Sequence, residues 1–365
     1  MITMKQLAEE LNLSRSTVAY ALANHWRAKR VSPATREKVL RKADQYGYRT
    51  NRVASSLKTR VTHTIGVLVP TISSNYISMM MDGIESVLGD TYTLLLGVSQ
   101  WNAAKECRLI ESFEERMVDG AIVVTAGHRE TLPLLHSLRR RGVAIVQVEN
   151  SFPELQADVV SPDNESFGFL LTQHLIQLGH RRIYYLRSPR VHRGTLSRAE
   201  GYEVAMRQAN LLSHCLPPIP VYESSSRFEF CLGQVRKLLR ESKPPLGIVA
   251  NDFAGMLAAL QATEEAGYQC PRDVSITGAG VAFDGEGSEG IPLTRFLRMQ
   301  FTSMNWSIED MGREAGKLLL KRLKERTKRD QDFQDVAIPG HLIIGQSTSS
   351  PRNTLGKPDI LQKQN

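Results

Sequence analysis

The sequence predicts two fold classes in one chain: a small all-α helix-turn-helix domain, then an α/β domain of two doubly wound parallel-sheet subdomains. Three observations carry this. Residues 3–22 read as two short amphipathic helices broken at Asn12-Leu13-Ser14. Residues 1–62 hold 13 Lys and Arg against 4 Asp and Glu, a net of +9, while the whole chain carries only +8. From residue 64 onward, short apolar runs alternate with helical segments in two successive sets.

In the first pair of helices, Leu7, Ala8 and Leu11 share one face, and Val18, Ala21 and Leu22 share another. Ser14 is placed to cap the second helix through its hydroxyl. Arg15, Ser16, Thr17, Ala19 and Tyr20 are left on the outer face or leading end. In a helix-turn-helix those positions enter the major groove of DNA. The same twenty residues also describe an ordinary amphipathic hairpin. The basic excess favours a polyanion partner, with a solvated basic surface as the bland reading.

The loop at 23–30, which contains Trp26, fits either a phosphate contact or a solvated loop. Ser32-Pro33 opens a third helix to about Tyr46, ended by Gly47. Val39, Leu40, Ala43 and Tyr46 are expected to close a three-helix core. Residues 50–62 are too short and polar to hold a helix alone. Read by themselves they are a flexible linker. Packed on DNA beside a second copy they can order, with Leu57 as a wedge in the minor groove.

The strands of the α/β region are expected at 65–69, 93–96, 121–124 and 144–148, then at 182–186, 219–222, 247–250 and 274–278. Helices are expected at about 76–89, 104–117 and 130–141, then 164–178, 198–210, 228–241 and 253–266. In such folds ligands sit beyond the carboxyl ends of the strands, between the halves. This singles out Ser73, Glu149, Arg190, Arg193, Arg198, Asn251 and Asp252. Each has a structural alternative: Asn251 or Asp252 as a helix cap, Arg198 in a surface ion pair.

Composition excludes several classes. No apolar run approaches the length of a membrane helix, and the N-terminus lacks a signal peptide's apolar core, so a cytoplasmic protein is expected. The four cysteines have no metal-ligand spacing, and neither metal nor cofactor is expected. The chain contains no GxxxxGK[ST], HExxH or GxSxG, which argues against an enzyme. The rival reading is a two-lobed sugar-binding protein of transport or chemotaxis type.

Several motifs, in order, resemble the lac repressor family of bacterial transcription regulators over about residues 3–348. They include Leu7-Ala8, Leu13-Ser14, Thr17-Val18, Val31-Ser32-Pro33-Ala34-Thr35-Arg36, Gly47-Tyr48-Arg49-Thr50-Asn51 and Ala54-Ser55-Ser56-Leu57. Further on come Ile65 to Pro70, Leu178-Gly179-His180-Arg181-Arg182-Ile183, Arg198-Ala199-Glu200-Gly201-Tyr202, Pro271 to Gly278 and Gln346-Ser347-Thr348.

The resemblance implies a helix-turn-helix domain at 1–49, a hinge at 50–62, a periplasmic-binding-protein-like effector and dimerisation domain at 63–348, and a polar tail at 349–365. It implies that Arg15, Ser16 and Tyr20 read bases and that Thr17 meets phosphate. Leu57 would enter the minor groove, with Asn51 and Lys58 among the DNA-contacting positions. Ser73, Tyr76, Glu149, Arg198, Asn251 and Asp252 would line an effector cleft, with Arg198 holding hydroxyls or a carboxylate. The partners implied are a near-palindromic operator, a small-molecule effector such as a sugar, and a second copy of the chain, with no membrane role. The expected localisation is the bacterial nucleoid.

There are departures. The 23–30 loop is about three residues longer than usual, and Ala23 replaces a frequent asparagine. Ala279-Gly280-Val281 stands where many members place Asp-Asp, so a sugar-binding carboxylate is missing there; either Asp284 substitutes for it or the effector is not a typical sugar. The absence of a tetramerising C-terminal helix favours a dimer.

Overall fold

The computed structural model describes residues 2–22, 30–48, 61–73, 75–188, 192–215, 227–280, 299–325 and 332–351. The chain divides into two compact units, Met1–Thr62 and His63–Asn365.

The first unit holds α1 (Met4–Leu11), α2 (Arg15–Leu22) and α3 (Pro33–Gln45). A capping box starts α1: Thr3 accepts from the Gln6 amide, and Gln6 reaches back to the Thr3 amide at 2.9 Å. Asn12 ends the helix in the left-handed region at φ 53°. The Thr17 amide donates to Ser14 Oγ at 3.1 Å, the cap expected for α2. Ser32 caps α3 with Pro33 in its first turn. The core is Leu7, Ala8, Leu11, Val18, Ala21, Val39 and Ala43. Leu40 and Tyr46, expected inside, are 41% and 40% exposed. Leu40 lies off the Val39–Ala43 face, and Tyr46, the C-cap just beyond the helix, instead donates to Glu10 at 3.3 Å and lies under the Lys42 ammonium.

The second unit contains two six-stranded sheets with matching strand order. The first comprises β1 (Thr64–Val69), β2 (Thr93–Val98), β3 (Gly120–Val123), β4 (Ala144–Val148), β5 (Asp158–Pro162) and β11 (Asp335–Ile338). They are ordered β2-β1-β3-β4-β5-β11, and every pair is parallel. The second comprises β6 (Ile183–Leu186), β7 (His214–Cys215), β8 (Leu246–Ala250), β9 (Val274–Ala279), β10 (Thr302–Asn305) and β12 (His341–Ile343). Its order is β7-β6-β8-β9-β10-β12, with only β12 antiparallel. In both sheets the order reverses at the first strand, the switch point where such folds open a crevice.

The helices of the first subdomain are α4 (Asn75–Leu88), α5 (Ala103–Glu115), α6 (Leu132–Arg140) and α11 (Ile308–Lys324). Those of the second are α7 (Asn164–Gln177), α8 (Arg193–Gln208), α9 (Arg227–Glu241) and α10 (Phe253–Glu265). The chain crosses between subdomains three times, after β5, after β10 and after β11.

Two helix pairs pack most tightly, α7 with α8 and α4 with α11. Each crosses at glycines. A Cβ at Gly168 would overlap the Arg198 carbonyl, and one at Gly312 would overlap the Met80 carbonyl. Only hydrogen in place of a side chain lets the backbones approach this closely.

The sequence reading missed β5, β10, β11, β12 and α11. The strand expected at 219–222 lies outside the described residues, and the second strand of that sheet is His214–Cys215. The tail expected from 349 is held at its start: Ser349 accepts from His180 Nε2 at 2.9 Å and donates to the Pro271 carbonyl at 3.1 Å. No helix among the described residues is long and apolar enough to cross a membrane.

Candidate nucleic-acid interface and effector cleft

The first unit exposes the leading end of α2. Arg15 and Ser16 are exposed, and Thr17 and Tyr20 are half-buried. The Ser16 and Thr17 hydroxyls each lie 2.8 Å from Ser14 Oγ, so the cap and these two side chains form one hydroxyl cluster. Arg30 lies 5.7 Å over the Tyr20 ring. Arg36 Nε donates to the Ala21 carbonyl at 3.4 Å, tying α3 to the end of α2. Arg15 is thus the one outward cation in the first turn of α2, carried on a helix whose opposite face is anchored by Val18 and Ala21. Asn51, Leu57 and Lys58 lie outside the described residues, as do Arg190 and Asp284.

The second unit opens a cavity of about 660 Å³ between its two sheets. Five of the six residues singled out for an effector line it: Tyr76, Glu149, Arg198, Asn251 and Asp252. Ser73 does not. It is exposed, and its amide and hydroxyl fold back on Thr71 Oγ1 at 3.1 and 3.3 Å. Arg193 is also outside the lining and pairs with Asp335 at 2.8 Å.

Arg198 is fixed by its surroundings. Its Nε donates to Asn164 Oδ1 and its Nη1 to the Asn251 carbonyl, both at 2.7 Å. The guanidinium lies 4.6 Å over Phe167 and 5.1 Å over Trp306, which stack on each other. Asn251 is buried and accepts from the Tyr185 hydroxyl at 3.0 Å. Asp252 caps α10 through the Gly255 amide at 2.9 Å and meets Arg227 at 3.3 Å. Its capping alternative is therefore the observed one, and it still borders the cavity.

Glu149 stands directly after β4 in the left-handed region at φ 64°. Burial pushes its carboxyl above the usual carboxylate range, against the pull of Arg198 and Arg227. The facing Tyr76 hydroxyl is driven well up, by burial first and then by the Glu149 charge. This wall favours a shared proton or a ligand hydroxyl between the two groups.

The sequence reading missed other lining residues: Arg227, Trp101, Thr125, His128, Asn305 and Trp306. Thr125 follows β3 and had a strand-end signal that could have found it. Trp101 and Trp306 lie in segments without a strand assignment in that reading. Glu106 holds the cavity edge from behind. Fully buried, it accepts from Thr125 Oγ1 at 2.6 Å and the Ala126 amide at 3.2 Å.

Residues 172–348 match the family model of a periplasmic binding protein-like domain. The chain is 27% identical over 352 residues to the HTH-type transcriptional repressor PurR of Haemophilus influenzae, covering 96% of this chain and 99% of the relative. It is 28% identical over 355 residues to catabolite control protein A of Priestia megaterium, covering 95% and 99%. The chain is similar over nearly its whole length to transcription regulators of the lac repressor family. The regulator also shares the fold of the lac repressor dimer solved with operator and the anti-inducer ONPF: TM-score 0.74 at 18% identity, covering 95% of this chain and 99% of that one. Both matched relatives are transcription regulators aligned from end to end, which supports the regulator reading over a transport protein. The relatives are regulators and not enzymes.

Proposed function

We propose that this regulator is a repressor that binds a near-palindromic operator as a homodimer and answers to a small polyhydroxylated effector, a sugar or related metabolite, in the cleft. The observation that carries the effector half is the Arg198 guanidinium, held between the Asn251 carbonyl and two aromatic faces at the edge of a 660 Å³ cavity. A fixed cation among amides and aromatic rings suits an oxygen-rich ligand of that size. The DNA half rests on the exposed first turn of α2 and the +9 charge of residues 1–62.

Two copies present two α2 helices to major grooves about one DNA turn or a multiple apart. Arg15, Ser16 and Tyr20 read base edges and Thr17 meets phosphate, while Asn51, Leu57 and Lys58 act at the operator centre. The effector shifts the arrangement of the two subdomains only by its differential affinity for the two states. Such a protein works in the bacterial cytoplasm, at the nucleoid.

Selection of bound fragments from a random DNA pool tests this reading. A near-palindromic motif with a central pyrimidine–purine step supports the dimer and the minor-groove wedge. Binding without any motif, in the presence and absence of a metabolite panel, would reduce the first unit to phosphate contacts and overturn the proposal.

A further inference from the structure

The carboxyl end of β9 has no side chain to offer the cleft. Ala279 ends the strand and Gly280 follows, and both line the cavity. The space above Gly280 is nevertheless filled. A Cβ there would coincide with Asn305 Oδ1 and lie 2.5 Å from Asn305 Cγ and 2.9 Å from Ser303 Oγ. Asn305 ends the neighbouring strand β10, which runs parallel to β9 with Met304 opposite Ala279. The Gly280 amide donates to the Met304 carbonyl at 2.8 Å, which brings the two strand ends together.

Within that arrangement the Asn305 amide has two sides. Its Oδ1 faces Gly280 and lies 3.5 Å from the Ser303 hydroxyl. Its Nδ2 has no partner among the described residues, and the half-buried side chain borders the cavity. The next residue, Trp306, carries the Arg198 guanidinium on its ring. The same wall therefore presents an amide donor and a fixed cation. Asp252, the cavity-lining carboxylate of this subdomain, is engaged by Arg227 and by the Gly255 amide. Glu149 and Tyr76 line the cavity from the first subdomain, within reach of the Arg198 charge.

We propose that Asn305 is a specificity-determining residue, taking an oxygen of an effector carboxylate beside Arg198. The effector is then a sugar acid, oriented with its carboxylate toward Asn305 and Arg198 and its hydroxyls toward Glu149 and Tyr76. A carboxylate meets the two donors with two anionic oxygens, whereas a hydroxymethyl group at that place offers one neutral oxygen to both. This rests on the cleft being the effector site.

The test is calorimetry on the full chain with matched pairs: glucose with gluconate and glucuronate, galactose with galactonate and galacturonate, ribose with ribonate. The expected result is tighter binding of an acid than of its parent sugar. Asn305→Ala should weaken that acid roughly tenfold or more, the value of one hydrogen bond to a charged group. Asn305→Asp should reverse the order within the pair, because two carboxylates then face each other.

A packing control is independent of ligand. Gly280→Asp should lower the melting temperature, and adding Asn305→Gly should restore it by freeing the space that the new Cβ needs. Unchanged acid affinity in both Asn305 variants, or preference for the neutral sugars, would overturn this inference and leave the effector cleft standing. Failure of every pair to bind would overturn the effector reading and this inference with it.

Discussion

Arg322 and Asp158 form a buried bidentate pair, with Nε and Nη2 donating to the two carboxylate oxygens at 2.6 and 2.7 Å. The arginine is near the end of α11, the helix that returns from the second sheet, and the aspartate opens β5 in the first. Asp158 also accepts from the Gln334 amide at 2.8 Å, at the entrance to β11. One carboxylate thus ties the start of β5 to the end of α11 and the approach to β11. Both Asp158→Ala and Arg322→Ala should cost about 3–5 kcal/mol, because each leaves a buried charge without its bidentate partner. In urea unfolding the double variant should lose clearly less than the sum of the singles. Additive losses would mean the two side chains act separately.

Acid should loosen the segment that follows β12. His180 Nε2 lies 2.9 Å from both Ser275 Oγ and the Ser349 carbonyl, and His174 Nε2 lies 3.0 Å from Thr348 Oγ1. Burial holds both imidazoles below the ordinary histidine value of 6.5. The unfolded chain therefore takes up protons first as pH falls. Stability is complete above about pH 6.5 and declines below it, until the lowered folded values are reached. Melting temperature measured between pH 8 and pH 5 should fall over the acid half of that range. His180→Gln should flatten the slope, and an unaltered slope would remove His180 from the cause.

Arg198→Ala should abolish the effector response while leaving a discrete operator footprint, since Arg198 belongs to the second unit and lines its cavity. A modest loss of stability should accompany it, from the bond to Asn164 and the stacking on Phe167 and Trp306. A normal response in a footprint titration would put the effector elsewhere.

Arg15→Ala should relax base preference at one position in each half-site, at about 1–3 kcal/mol of discrimination. A uniform loss over all sequences in a competition assay would instead mark Arg15 as a phosphate contact. Leu57→Ala should reduce operator bending measured by gel phasing, and equal bending would remove the wedge.

The parts of the fold legible in the sequence were those with a local signal. Ser14 and Ser32 marked helix starts by their capping chemistry, and the uninterrupted run Ile65 to Val69 marked a strand buried on both faces. Strand-end placement brought Tyr76, Glu149, Arg198, Asn251 and Asp252 to one cavity. Ser73 stands outside the cavity lining, two positions beyond the lining Thr71, and its hydroxyl accepts from Thr71 Oγ1 instead. β10 was illegible because Thr302-Ser303-Met304-Asn305 looks like polar loop, and β11 because Asp335-Val336-Ala337-Ile338 is only four residues long. They become strands by pairing with β9 and β5, far away in the chain. Asn305 was invisible for a related reason: its importance comes from a glycine 25 positions earlier.

The glycine crossings at Gly168 and Gly312 have a mechanical meaning. Where backbone rests on backbone there is no side chain to change rotamer, so neither helix pair can slide or swivel without separating. Each half of the effector unit then turns as a block, and flexing is confined to the three short crossings. A ligand that pulls the cleft walls together must rotate one block against the other by an angle set at the crossings. The motion that reaches the far end of the unit is thus fixed in direction by the chain itself, and different ligands can alter only how often it occurs.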